Sequence, residues 1–285
     1  MATSIFKKVG DDGEEMTFVD HLEALRWHIV RSLLAVIFFA LFIFIKMDWV
    51  FERVIAGPLQ NDFISYLMLC RFSNWLHLGD ALCMPAMNIK LQAIEFSSQF
   101  MSSITIAFVG GFIAAFPYIF WELWKFIKPA LKPSELKSTR GSIFFVSLFF
   151  FTGAAFGYFL LAPFTFNFLS NYSLGTSHLL ETKPTLNDYL DNLVNIILGC
   201  GIAFELPVLA YVLTKIGLIT PAFLTASRKY AVVVILVIAA VITPSPDWSS
   251  QMLVFVPLFL LYQLSIVVSK RAYKEMIKRD NEDWD

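Results

Sequence analysis

Charge is scarce in this sequence. Of its 285 residues only 16% are Asp, Glu, Lys or Arg, whereas a soluble domain carries about 25%. The net charge is −1, so no basic surface is available to hold nucleic acid. Cysteine is nearly absent: Cys70, Cys83 and Cys200 are too few for a disulfide scaffold and lack metal-site spacing. The four histidines, His21, His28, His77 and His178, do not cluster. His21 and His28 read as facing interfacial water. There is no P-loop, no His-Glu-x-x-His motif and no Gly-x-Ser-x-Gly elbow. No Ser–Lys or Asp–Asp pair falls at one depth of the apolar stretches, so an intramembrane protease or transferase has no support. No catalytic residue, metal site or cofactor is expected. Internal repeats are missing too, as is a cleavable leader, because Met1–Asp20 is polar and acidic.

What is abundant is apolar surface. Hydrophobic residues make up 57% of the chain, Phe alone occurs 30 times, and the mean hydropathy is +0.65. A soluble fold of this size cannot bury so much. The chain reads as an integral membrane protein, all-α, because an open sheet edge cannot face lipid. A helix needs about 20 mostly apolar residues to span a bilayer. Six stretches qualify: about Trp27–Ile45, a second within Phe96–Trp121, a third from Gly141–Phe164, then about Asn192–Thr214, Tyr230–Thr243 and Gln251–Ser269. The fifth and sixth are expected to be short helices. At 1.5 Å per residue, Ala231–Thr243 reaches only about 20 Å, which thins the bilayer locally or reflects a tilted pair with polar flanks.

The basic residues orient the spans. Of 22 Lys and Arg, only Lys46, Arg53, Arg71, Lys90 and Lys183 fall in the segments that are outer when the N-terminus is inside. Both termini are therefore expected in the cytoplasm. One domain covers 1–285: a polar tail (1–15), an amphipathic interfacial helix (16–26), a six-helix core (27–269) and a charged tail (270–285) that frays or attracts anionic lipid. In the interfacial helix Phe18, Leu22, Leu25 and Ile29 recur at helical spacing. The long first outer loop, about Lys46–Phe96, contains Phe63–Leu69, which suits a short helix or packed cap. Cys70 and Cys83 in this loop either form a disulfide in an oxidising compartment, contributing about 3 kcal/mol on the chain-entropy model, or stay as two buried thiols. Cys200 reads as inert packing.

Glu205 is the one acid placed mid-span, in Gly201-Ile-Ala-Phe-Glu-Leu-Pro207. A carboxylate there is costly and suggests function. It reads as a polar site on a wet face, or as a hydrogen-bonded lock between helices. Pro207 is expected to kink this helix.

Taken in order, several motifs resemble those of the TatC family, the core subunits of the twin-arginine protein translocase. They are His21-Leu-Glu-Ala-Leu-Arg26, Ala56-Gly-Pro58-Leu, Pro117 through Trp124 with Phe126-Ile-Lys-Pro129-Ala-Leu131, and Phe151, Gly153, Phe156, Tyr158, Phe159 and Pro163. Gly201-x-x-Phe204-Glu205-x-Pro207, Arg228-Lys-Tyr230 and Thr243-Pro-Ser-Pro-Asp247 through Gln251 complete the set. The resemblance spans about Phe18–Ser269, with an enlarged first outer loop.

That resemblance implies a six-helix, N-in/C-in curved wall with a concave face in the cell inner membrane. It implies recognition of twin-arginine signal peptides and assembly with the single-span partners TatA and TatB into an oligomeric complex. Folded proteins are then exported with the proton-motive force. Guanidiniums suit carboxylate partners. Glu135, which alone would read as a solvated acid among Lys128, Lys132 and Lys137, aligns with the family's loop acid that binds the twin arginines. The family's second acid would stand at position 24, but this chain has Ala24; Glu23 and Asp20 are the neighbouring substitutes. Trp121-Glu122 stands where Tyr-Gln is usual, and Gln263 where Glu often stands. Phe126 either packs on the signal peptide or anchors the interface. Glu205 and Gln263 are expected to contact partner helices. Pro58, Asp247 and Gln251 are expected to serve in the outer loops. Glu205 alone would also suit a proton-coupled transporter of a small solute. Such a carrier usually brings a second intramembrane ion or paired repeats with broken helices, and this sequence offers neither.

Overall fold

The computed structural model describes residues 18–60, 62–75, 90–127, 142–172, 183–243 and 248–282. Helices dominate, and the described residues contain one isolated bridge, Gln92 with Thr185, but no strand. α1 runs unbroken over Phe18–Ile45, so the interfacial segment and the first span are one helix. A short turn of helix, α2 (Met47–Val50), then a π-helical turn (Phe51–Ile55) and a 3-10 turn (Gly57–Leu59) follow. α3 (Ile64–Trp75) fills the outer loop where a short helix was expected. α4 covers Ser98–Ile127. α5 (Ser142–Phe156) passes through a π-helical segment, Gly157–Leu161, into α6 (Ala162–Asn171). α7 (Leu186–Ala203) and α8 (Leu206–Lys215) form the fourth predicted span. α9 (Pro221–Ala226), α10 (Arg228–Ile242) and α11 (Trp248–Glu282) complete the chain.

Five of the helical stretches are long and apolar enough to cross a membrane: Leu22–Ile45, Ser98–Ile127, Ile143–Asn171, Leu186–Lys215 and Ser250–Ile277. The fifth predicted span, α10, has 15 residues, or about 22 Å, and falls short of that length. The sixth was expected to be short and is not: α11 has 35 residues and carries the helix to Glu282. The charged tail does not fray at Lys270 for a physical reason. Lys, Arg, Ala, Glu and Met, good helix formers, make up most of Lys270–Arg279, and Ala272 within it is 1% exposed.

The core follows from spacing. α7 buries Leu186, Tyr189, Leu190, Leu193, Ile196, Cys200 and Ala203, and α11 buries Val254, Leu258, Tyr262 and Ile266, one residue per turn. α1 lies against α4 along an extended contact. Gly111 permits this approach, because a Cβ there would lie 2.7 Å from the Ala40 backbone nitrogen and 2.8 Å from the Val36 carbonyl oxygen. The opposite face of α1 exposes Leu34, Phe38, Leu41, Phe42 and Ile45. A continuous apolar face of this kind suits lipid rather than water.

Candidate functional site

The basic end of the α1–α4 pair contains a buried charge cluster. Glu122 enters from α4 and is 1% exposed. Its Oε2 lies 2.6 Å from His28 Nδ1 on α1, and its Oε1 accepts a hydrogen bond from Lys125 Nζ at 3.1 Å. Arg31 Nη1 stands 3.9 Å from Oε2. Lys125 also lies over the Trp121 ring, 3.6 Å from its centroid. Phe126 meets the His28 ring edge-on, with centroids 6.2 Å apart. A carboxylate removed from water needs such partners. Sequence reasoning placed His28 in interfacial water and read Glu122 as a minor departure; here they are each other's partner. Local spacing could not reveal the pair, because 94 positions separate them.

Of the carboxylates expected to meet signal peptides, only Glu23 has a described side chain. Glu23 is exposed on α1, and Ala24 is half-buried one turn before His28. Asp20 lies on α1, with its side chain outside the described ones. Glu135, Asp247 and Cys83 lie outside the described residues.

The chain breaks where Glu205 was singled out. α7 ends at Ala203, α8 begins at Leu206, and Pro207 follows. Pro has no N–H to continue the helical ladder, so the expected kink is a break at Phe204–Glu205. Glu205 Oε1 is buried without a hydrogen-bond partner. Glu205 is not the only ionisable group buried in the helical body. Lys215 is 7% exposed, and its Nζ donates to Glu275 Oε2 at 2.7 Å. Gln263 is half-buried on α11.

At the opposite end, Pro58 has a structural task. Pro58 is fully buried, and three tyrosines from three elements donate to carbonyls of its segment. Tyr66 of α3 donates to Pro58 at 2.6 Å, Tyr158 of the π-helical segment to Val54 at 2.6 Å, and Tyr189 of α7 to Ile55 at 2.5 Å. Burial pushes the Tyr66 phenol above its usual range. A Cβ on Gly57 would sit 2.7 Å from the Tyr158 hydroxyl, so a larger residue there would push that tyrosine off its bond to Val54. Beside it opens a cleft of about 600 Å³ lined by Asp48, Glu52, Gln60 and Ser102, among others. Cys70 on α3 is disulfide-bonded. Gln251 donates through Nε2 to the Leu236 carbonyl at 3.3 Å, joining the start of α11 to α10.

Comparison with known proteins agrees with this arrangement. Residues 20–257 match the family described as Sec-independent protein translocase protein (TatC). TatC of Blattabacterium is 37% identical over 260 residues, covering 91% of this chain and 97% of that protein. TatC of Carboxydothermus hydrogenoformans is 31% identical over 261 residues, covering 91% and 95%. A crystal structure of a twin-arginine translocase receptor, TatC, superposes with a TM-score of 0.67 at 33% identity, covering 88% of this chain and 99% of that one. The chain belongs to the TatC family and is a multi-pass membrane component of the Sec-independent, twin-arginine protein translocase.

Proposed function

We propose that this chain is the signal-peptide receptor and core scaffold of its translocase. In this reading it has six spans, α10 being the short fifth, with both termini in the cytoplasm of a cell whose inner membrane it crosses. The helices form a curved wall whose concave, wet face holds Glu205. It has no catalytic chemistry and works with TatA and TatB, driven by the proton-motive force.

One observation carries the proposal. α1 and α4 are joined at their basic ends by His28, Glu122 and Phe126. Glu23 is exposed on α1 five residues before His28, and α4 ends at Ile127, eight residues before Glu135 in sequence, which supports a site shared by the two segments. Two carboxylates from different segments can then meet two adjacent guanidiniums, the geometry in which charge-assisted pairs are strongest. Phe126 sits at the same end to meet the apolar part of the peptide. Glu205 and Gln263 are left for partner helices, and Asp247 and Gln251 for contacts on the outer side.

The test is binding of a twin-arginine signal peptide to the purified protein, beside a Lys-Lys version and a Glu135→Ala variant. Tight binding lost in both controls is expected. Binding that survives Glu135→Ala moves the site to Glu23 and Asp20. Absence of any arginine dependence overturns the receptor reading.

A further inference from the structure

The charged extension of α11 is firmly seated. Lys215 holds Glu275, the Thr214 and Ser269 hydroxyl oxygens lie 2.7 Å apart with both residues fully buried, and Tyr262 donates to the Leu224 carbonyl at 2.7 Å. The first two ties fix the extension to the end of α8, and the third joins α11 to α9 just before it. Between them lies a cleft of about 360 Å³ lined by Thr220, Pro221, Ala222, Lys270, Tyr273 and Lys274.

The contents of that cleft suit an anion. Lys270, Tyr273 and Lys274 stand at i, i+3 and i+4, hence on one helix face. Neither lysine makes an ion pair among the described residues, while the acid nearest in sequence, Glu275, is occupied by Lys215. The Thr220 hydroxyl oxygen accepts from the Phe223 N–H at 3.3 Å, which leaves its own proton free to donate. The surroundings point to a lipid rather than a free ion. Val267, three residues before Lys270 on the same face, is 48% exposed, and Phe223, next to Ala222, is 60% exposed. Apolar surface therefore borders the cleft on both walls, where acyl chains would lie below a headgroup.

We propose that this cleft binds the phosphate of an anionic phospholipid, held by Lys270 and Lys274 and by the hydroxyls of Thr220 and Tyr273, with the acyl chains against Val267 and Phe223. It places the end of α11 at a membrane surface and is read without any signal peptide, so it stands or falls separately from the receptor role.

The experiment is native mass spectrometry of the purified full chain in a detergent with equal phosphatidylglycerol and phosphatidylcholine. The wild type is expected to retain phosphatidylglycerol preferentially. Each lysine near a charged surface is worth about fivefold, so Lys270→Gln/Lys274→Gln should reduce the preference by about 25-fold. Tyr273→Phe, which removes one of the proposed hydroxyl donors and no charge, should also lower the preference. Arg228→Gln/Lys229→Gln, which removes equal charge from the start of α10, outside the cleft lining, should keep the preference. An equal fall in that control would show diffuse attraction and overturn the site. So would an unchanged preference in the lysine variant. If inorganic phosphate alone displaces phosphatidylglycerol at millimolar concentration, the cleft takes free anions and the lipid assignment fails.

Discussion

The His28–Glu122 pair offers a sharp test of what joins α1 to α4. Glu122 is 1% exposed and has two close hydrogen-bonding partners, His28 at 2.6 Å and Lys125 at 3.1 Å. Removing His28 leaves the carboxylate Lys125 and Tyr118 as hydrogen-bond partners and Arg31 3.9 Å away, so the cost is below that of a fully orphaned buried charge. A hydrogen bond to a charged group contributes about 1.5–3 kcal/mol, which is the expected penalty for His28→Ala. Glu122→Gln keeps the volume but removes the charge, and the same range applies. The two losses share one interaction. The double variant should therefore cost little more than either single one, with a coupling energy of about 1–2 kcal/mol. For a chain this size 1 kcal/mol moves the midpoint by about 2–4 °C. Each single variant should then melt about 3–12 °C below wild type in detergent, followed by fluorescence-detected gel filtration, and the double variant should fall in nearly the same place. Raising the salt should change little, because a buried pair is poorly screened. Arg31, 54% exposed and 3.9 Å away, should matter by less than about 1 kcal/mol when changed to Gln. Strictly additive losses would show that His28 and Glu122 act separately and would refute the reasoning.

Two further predictions concern the frame around these sites. Tyr189→Phe should cost about 1–3 kcal/mol, because the Ile55 carbonyl loses a donor, and should speed limited proteolysis between Lys46 and Lys90; an unchanged cleavage rate would mean that the tyrosines do not hold this loop. Gly153→Ala would place a Cβ 2.5 Å from the Cys200 carbonyl oxygen, whereas Gly110→Ala meets mainly the flexible tip of Ile43 at 2.9 Å; the first should lower the melting midpoint by about 1–3 kcal/mol worth of overpacking and the second only slightly, and equal effects would argue against close α5–α7 packing.

The sequence-based outline succeeds where the signal is local. Continuous apolar runs locate the long helices. Phe63–Leu69 foreshadows α3, and Pro207 foreshadows the break at Phe204–Glu205. The family is legible because its motifs occur in order along the chain, each short enough to be read within one span or one loop. What escapes is whatever depends on distant partners. The three tyrosines reach carbonyls 8, 104 and 134 positions away, and Lys215 reaches Glu275 across 60. No local window contains both ends of the three longer bonds, and the Tyr66–Pro58 bond, though local, follows no helical or strand period. The length of α11 escapes for a different reason. Beyond Ser269 the apolar run stops, and hydropathy ends the span there. The helix continues because its residues favour helix and because Ala272 and Glu275 dock on neighbouring elements.

The departures at positions 24 and 122 make physical sense together. Position 24 lies one turn before His28, so an acid there would share the face that His28 presents to α4. In this chain that position is Ala24, and the acid facing His28 comes from α4 instead, as Glu122. Glu122 is not equivalent to an acid on α1. Its two oxygens are engaged by His28 and Lys125, and it is closed to solvent. Admitting a signal-peptide guanidinium would mean displacing a bonded cation from a buried carboxylate, which costs more than meeting an exposed one. Glu122 therefore neutralises the basic end of α1 and α4 and holds the two helices together. Among the described residues at this end, Glu23 is the exposed carboxylate. In the proposed receptor role, recognition of arginine would rest with Glu23 and with Glu135 of the inner loop, while Glu122 offsets the positive charge of Lys125 and Arg31 near it.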